Sequence, residues 1–162
     1  MKQLLLFRHA KAESSSLSVS DFNRPLTNKG KVDAELVSYK LRLLKLKIDK
    51  IYSSTSNRTM STAQILSKEY EMKIEGDDRL YDASPSFMKT FLESLDDRYT
   101  TVAVVGHNPT LSFLVDYYTG NEHSMIIPTS GVCIIEFAVD SWAEISYNSG
   151  FKKRFLSPKQ LI

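Results

Sequence analysis

The chain has 162 residues, enough for one domain with a real core and too few for two ordinary ones. Charged residues make up 25% and hydrophobic ones 42%, the balance of a soluble globular protein. A net charge of +2, from 21 basic and 19 acidic residues, gives no reason to expect nucleic-acid or membrane binding, which calls for a clustered basic face.

Lys2 to Phe7 reads as a short buried strand. The opening Met1-Lys2-Gln3-Leu4 lacks the pattern of a signal peptide, and no apolar run approaches membrane-spanning length, so a cytoplasmic protein is expected. Ala12 to Asn23, rich in Ser and Asp, is a loop. Thr27 is placed to cap a helix running to about Leu44, with Val32, Leu36, Val37, Tyr39 and Leu43 near one face. Ile48 to Tyr52 is a second strand. Hydroxyls at Ser53 to Ser56 then start a helix with an apolar stripe of Met60, Ala63, Leu66 and Tyr70. Met72 to Glu75 is a short strand. Ser84-Pro85 is a cap followed by proline at the first helical position, and Phe87, Phe91, Leu92 and Leu95 form that helix's buried face.

Thr100 to Val105 is another strand, and a helix opens at Pro109 and stops at Gly120. His123 falls in a polar turn, Asn121 to Ser124, and reads as solvated. Val132 to Val139 and Ala143 to Tyr147 read as a strand pair around Asp140-Ser141, and Lys152-Lys153-Arg154 as a wet face. Trp142, Tyr117 and Tyr118 read as packing residues, and Cys133, the single cysteine, as a buried structural thiol. This alternation predicts an α/β fold: a single three-layer α/β/α domain over residues 1–162, with a mostly parallel central sheet and later strands antiparallel at an edge.

The chemistry concentrates where two strands end. His9, preceded by Arg8, follows the first strand, and His107, followed by Asn108-Pro109, ends the strand from Thr100. In open α/β sheets ligands bind at the carboxyl ends of the strands. Arginine offers a planar fork of donors that matches phosphate oxygens. A helix opening after His107 adds free backbone N–H groups suited to an anion. Arg58, in the first turn of the helix after the second strand, sits against the helix dipole, a conflict that a bound anion would remove. Each feature also has an ordinary reading: Arg8 or Arg58 paired with an acid, His107 satisfied in the core.

Taken together, several motifs resemble the histidine phosphatase superfamily, with its phosphoglycerate mutase-like fold, and more narrowly the SixA-type phosphohistidine phosphatases. They are Leu6-Phe7-Arg8-His9-Ala10-Lys11-Ala12-Glu13, Arg24-Pro25-Leu26-Thr27 with Gly30, and Tyr52-Ser53-Ser54 with Arg58 and Thr62-Ala63. Leu80-Tyr81-Asp82-Ala83, Gly106-His107-Asn108-Pro109 and Pro128-Thr129 complete the set, in the same order along nearly the whole chain.

The resemblance implies that His9 is the nucleophile and that Arg8, Arg58 and His107 form the phosphate pocket, with Asn108 and Arg24 as further substrate contacts. It implies a phospho-His9 intermediate, a protonated His107, and no metal or cofactor. Asp82 stands near the position of the proton donor in relatives that act on alcohol phosphates, with Glu13 a distant second. Asp82 as a loop residue and Arg24 as a loop anchor are equally open.

Two departures bear on this. Ala10 stands where the family often has glycine, and alanine disfavours positive φ. Between Glu75 and Thr100 there is little beyond one helix, which resembles the compact branch with an open pocket. The implied partner is a phosphorylated protein, such as a phosphorelay histidine domain, or a small phosphate ester; a non-catalytic phosphate-binding module is the third alternative.

Overall fold

Leu4, Leu5, Leu6 and Phe7 are all fully buried along β1 (Lys2–Arg8), so this strand is covered on both faces. The computed structural model describes residues 1–120 and 125–161. Around β1 lie β2 (Lys50–Ser53), β3 (Ile74–Gly76), β4 (Thr101–Gly106), β5 (Val132–Phe137) and β6 (Gly150–Leu156). They form one six-stranded sheet in the order β3-β2-β4-β1-β5-β6. The first four are mutually parallel; β5 and β6 run antiparallel at one edge, as the sequence reading expects.

Helices cover both faces. On one side α1 (Asn28–Leu43) and α2 (Asn57–Tyr70) bury Val37, Leu41, Ala63 and Leu66 against Leu5, Phe7, Ala103 and Val105. On the other, α3 (Pro85–Glu93) and α4 (Thr110–Thr119) bury Met88, Leu92, Leu111 and Leu114 against Leu4, Leu6, Val102 and Val104. A last turn, α5 (Pro158–Leu161), closes the described chain. Strand residues of alternate parity feed the two cores because side chains alternate across a sheet. The result is a three-layer α/β/α arrangement.

Local signals act as the sequence predicts at three helix starts and stops. The Thr27 hydroxyl accepts from Gly30 N, the Ser84 hydroxyl accepts from Phe87 N, and Gly120 ends α4 at a φ of 61°. Cys133 and Trp142 are fully buried. Burial in the core pushes the Cys133 thiol up to about 12. The turn containing His123 lies outside the described residues.

Two expectations are corrected. Val32, Tyr39 and Leu43 are exposed; Val37 is buried as expected, and α1 buries Gly30, Ala34 and Leu41 alongside it. Its small residues face inward because α1 lies close against the backbone that follows β1. The second correction is at the sheet edge. Ala143 to Tyr147 is not a strand: Trp142–Glu144 is a 3-10 turn with a capping box between Ser141 and Glu144. Trp142 is pinned there by its backbone N–H to the Asp97 carboxylate (2.7 Å) and its Nε1–H to the Tyr99 carbonyl (2.9 Å). The edge strand is β6, whose exposed Lys152, Lys153 and Arg154 give it the charged surface that discourages edge-to-edge pairing.

Candidate active site

Register brings the site together. β1 pairs with β4 so that Arg8 stands beside Gly106, and His9 N–H donates to the Gly106 carbonyl at 3.1 Å. The next residue of β4's chain is His107, and the two imidazole centroids lie 5.5 Å apart. β2 flanks β4 on its other side with Ser53 beside Val105, which sets Ser54 next to His107. Three strand ends therefore deliver His9, His107 and Ser54 to one edge, at the carboxyl ends of the parallel strands. Arg58 reaches the same place from the first turn of α2.

A cleft of about 450 Å³ is lined by Arg8, His9, Asp21, Arg24, Arg58 and His107, with Lys11, Ala12, Tyr81, Asp82, Asn108 and Thr129 around them. The structure thus gathers every residue singled out for the pocket; Glu13 does not line it.

His9 is buried on the floor, 9% exposed. Its Nδ1 lies 2.8 Å from the Ala10 carbonyl. A carbonyl only accepts, so Nδ1 carries the proton and Nε2 keeps its lone pair. Burial, together with the charges of Arg58, Arg8 and Arg24, lowers the His9 pKa to about 4 against the Ala10 bond, which works the other way. The ring is neutral near pH 7. Ala10 is not among the residues with positive φ, so alanine fits an ordinary backbone at this position. Its N–H donates to Thr62 Oγ1 at 2.9 Å.

His107 differs from expectation. Its Nε2 lies 2.9 Å from Ser54 Oγ, and its Nδ1 faces Arg58 Nη2 at 3.4 Å. A guanidinium only donates, so Nδ1 is the acceptor and Nε2–H donates to Ser54. Burial and then the Arg58 charge lower the His107 pKa to about 3. The ring is neutral in the free site, because burial and the Arg58 charge outweigh the opposing pull of the Asp21 carboxylate.

The arginines are committed in different ways. Arg8 Nη1 donates to the Ile127 carbonyl at 2.9 Å, and burial lowers its pKa. Its Nε and that of Arg58 are buried without partners among the described residues. Such groups cost free energy unless something pairs them. Arg58 is 6% exposed and donates through Nη1 to the Asp21 carbonyl (2.7 Å) and through Nη2 to the Asp21 carboxylate (3.1 Å).

Arg24 lines the cleft and also anchors its loop, donating to the Glu13 carbonyl and the Asp21 carboxylate, both at 3.1 Å. Asn108 lines the cleft, yet its side chain is engaged elsewhere. It donates to the Ile127 carbonyl at 2.8 Å and accepts from the hydroxyl and N–H of Ser112 at 2.9 and 3.2 Å, which holds the first turn of α4. Asp82 sits exposed on the rim at a φ of 55°.

Sequence reasoning missed Asp21, Tyr81, Ser54 and Thr62 as site residues. Asp21 accepts from the Tyr81 hydroxyl at 2.6 Å, and that bond, ahead of Arg58 and Arg24, holds its carboxyl at about 2. Thr62 joins the His9 loop to α2 by accepting from Ala10 and donating to the Arg58 carbonyl at 2.7 Å. Ser54, Thr62 and Tyr81 lie within the motifs quoted above, which was the available signal. Asp21 had none beyond its place in a Ser- and Asp-rich loop.

Chemically, the cleft offers an unprotonated imidazole nitrogen beside two guanidinium groups. Such a nitrogen can act as a nucleophile, and the guanidinium groups suit a tetrahedral oxyanion. Comparison with known proteins gives the fold and the family. The chain is 29% identical to the uncharacterized protein Rv1276c of Mycobacterium tuberculosis over 147 residues, 85% of this chain and 90% of that one. Its fold matches the protein histidine phosphatase SixA complexed with tungstate at a TM-score of 0.84, with 21% identity and 99% of each chain covered. Phosphoserine phosphatase from Entamoeba histolytica matches at a TM-score of 0.69 with 15% identity, over the whole of both chains. The sequence model of the histidine phosphatase superfamily (branch 1) matches residues 4–85, the stretch that carries Arg8, His9 and Arg58, and the chain belongs to that superfamily.

Proposed function

We propose that the protein is a phosphatase that hydrolyses the N–P bond of phosphohistidine on a protein substrate, through a phospho-His9 intermediate. The observation that carries this reading is the His9 ring: neutral, with Nδ1–H spent on the Ala10 carbonyl and Nε2 left for the cleft that it lines. In the first step the Nε2 lone pair attacks phosphorus and the bond to the leaving nitrogen breaks, its electron pair staying with that nitrogen. Arg8 and Arg58 take up the charge on the equatorial oxygens, where positioning and electrostatics do most of the work. A dianion beside Arg58 also supplies an acceptor for a proton on His107 Nδ1, so the second proton on His107 arrives with the substrate. Water then attacks the phosphoryl group on His9, releasing phosphate and a proton and returning the neutral ring.

The mouth of the cleft fits a side chain on a protein. Between β3 and β4 the chain forms only a 3-10 turn, Asp78–Leu80, and α3, and both Asp21 and Asp82 at the rim are exposed. Structural similarity to a protein named for histidine phosphatase activity supports the same reading.

Acid-labile labelling tests it. Wild-type protein quenched during turnover of radiolabelled phosphoramidate or a phosphohistidine protein traps label, and His9→Ala does not. His9→Ala protein that hydrolysed phosphoramidate at the wild-type rate would overturn the mechanism, and wild type that binds phosphate without labelling or turnover would be a binding module.

Hydrolysis of small phosphate esters is the second reading, favoured by Asp82 on the cleft wall. Asp82→Asn separates the two. An esterase that uses Asp82 as its acid loses most activity on alkyl phosphates, whereas N–P hydrolysis survives largely intact.

A further inference from the structure

A carboxylate is fixed among the arginines of the cleft. Asp21 sits on a 3-10 turn, Asp21–Asn23, with half of its side chain in solvent. It is nevertheless held from three sides: by the Tyr81 hydroxyl at 2.6 Å, by Arg58 Nη2 at 3.1 Å, and by Arg24 through Nε at 3.1 Å and Nη2 at 3.0 Å. The turn is braced further by Phe22, whose ring meets Tyr81 edge-on at 5.0 Å. Tyr81 in turn meets His107 edge-on at 5.6 Å.

We propose that Asp21 is a specificity-determining residue. Its carboxylate favours a phosphoryl group carried on a protonated nitrogen over free phosphate and over phosphate esters of alcohols. This rests on the phosphohistidine reading above and adds a reason for the preference.

The argument begins with direction. In-line displacement puts the leaving group opposite the attacking atom. His9 attacks from the buried floor, so the leaving group points toward the mouth, where Asp21, Tyr81 and Asp82 line the wall. Two other cations share this wall. Arg24 is already paired with Asp21, and Lys11 is exposed to solvent. The leaving group therefore meets a carboxylate and an aromatic ring after the phosphoryl group has met the arginines.

Charge then decides what fits. Phosphohistidine protonated on its second ring nitrogen is anionic at phosphorus and cationic on the ring. When His9 Nε2 bonds to phosphorus, the N–P electron pair returns to the leaving ring, which departs as neutral imidazole with its proton in place. No proton has to be supplied; what helps is an acceptor for the ring N–H, which an ionised carboxylate is. Phosphoramidate behaves alike, leaving as ammonia. An ester leaves as an alkoxide that needs a proton, and Asp21, ionised at neutral pH, has none to give. Free phosphate and ester dianions also meet the carboxylate as a like charge next to Arg58.

The experiment compares wild type with Asp21→Asn and Asp21→Glu on phosphoramidate, a phosphohistidine protein and an alkyl ester, glycerol phosphate, with inhibition by orthophosphate measured for each. Asp21→Asn is expected to lose about tenfold in kcat/KM on both N–P substrates, to hold or gain on the ester, and to bind orthophosphate more tightly. Asp21→Glu is expected to recover part of the N–P preference. Equal losses on both substrate classes with unchanged phosphate inhibition would mean that Asp21 only props Arg58, and the inference would be wrong. Unaltered kinetics in Asp21→Asn would reject it as well. Wild type inert toward both N–P substrates but active on the ester would instead sink the phosphohistidine reading itself.

Discussion

The Thr62 hydroxyl accepts from Ala10 N–H at 2.9 Å while donating to the Arg58 carbonyl at 2.7 Å, so one buried side chain locks the loop behind His9 to the helix that carries Arg58. Thr62→Val keeps the shape and removes both bonds. The Ala10 N–H is then buried without a partner, which costs about 1–3 kcal/mol of stability. Urea unfolding is expected to show a lower midpoint with an unchanged slope. The His9 ring, which hangs on the neighbouring Ala10 carbonyl, is expected to be less well held, with kcat falling more than KM changes. A Thr62→Val protein as stable and active as wild type would show that this lock is dispensable.

Ser54→Ala tests the orientation of His107. The Ser54 hydroxyl is the acceptor for Nε2–H, and it is fully buried. One neutral hydrogen bond is worth about 1 kcal/mol, so roughly fivefold in kcat is expected to be lost. Nitrogen NMR of the ring distinguishes this from a packing defect: Arg58 still faces Nδ1 in Ser54→Ala, so the proton should stay on Nε2 in both proteins, with only its chemical shift moved by the lost Ser54 bond.

Much of the fold could be read from the sequence because its strands are buried on both faces. Leu4 to Phe7 and Val102 to Val105 are continuous apolar runs, and such runs have few other places to go. The gathering of Arg8, His9 and His107 in one cleft was legible because they sit in short motifs at strand ends. Asp21 was not legible, since its role depends on Arg58 and Tyr81, which lie 37 and 60 residues away in the chain. Nothing local in a Ser- and Asp-rich loop marks such a partner. The buried face of α1 was misread because apolar side chains at Val32, Tyr39 and Leu43 outweighed the small Gly30 and Ala34, and it is the small residues that permit close approach. β6 was misread because an edge strand carries charge where a central strand carries valine.

Titration of the two histidines follows from their burial beside arginines. His9 and His107 have folded pKa values of about 4 and about 3 against 6.5 when unfolded. Below pH 6.5 the unfolded chain binds protons that the native site refuses, so stability is full above that pH and falls as pH drops toward 4 and then 3. Thermal unfolding at pH 7.5 and pH 5 is expected to show this loss, and it should shrink in the double variant His9→Gln, His107→Gln. Proton NMR should find both rings neutral at pH 6, and saturating tungstate, which supplies the missing acceptor, should raise the pKa of His107. A His9 that titrates near 6.5 would contradict the burial and charge argument.

Gly30→Ala sets a helix gain against a steric loss. Alanine in a helix is favoured over glycine by about 1 kcal/mol. At this position, however, an added Cβ would stand 2.2 Å from the Lys11 carbonyl oxygen and 3.0 Å from its nitrogen. Both are backbone atoms of the loop that follows His9, and they are held, since Thr27 N–H donates to the same Lys11 carbonyl at 2.9 Å. Neither can rotate aside as a side-chain tip could, so α1 and the loop must separate. Overpacking of this kind typically costs about 1–3 kcal/mol, which outweighs the propensity gain. The expected outcome is a protein with a lower unfolding midpoint and a kcat reduced because the shifted Lys11 pulls on Ala10. Lys31→Ala, an exposed neighbour in the same turn, should stay within about 0.5 kcal/mol of wild type. If Gly30→Ala instead matched Lys31→Ala in stability and rate, the close seat of α1 on the His9 loop would not be what fixes that loop.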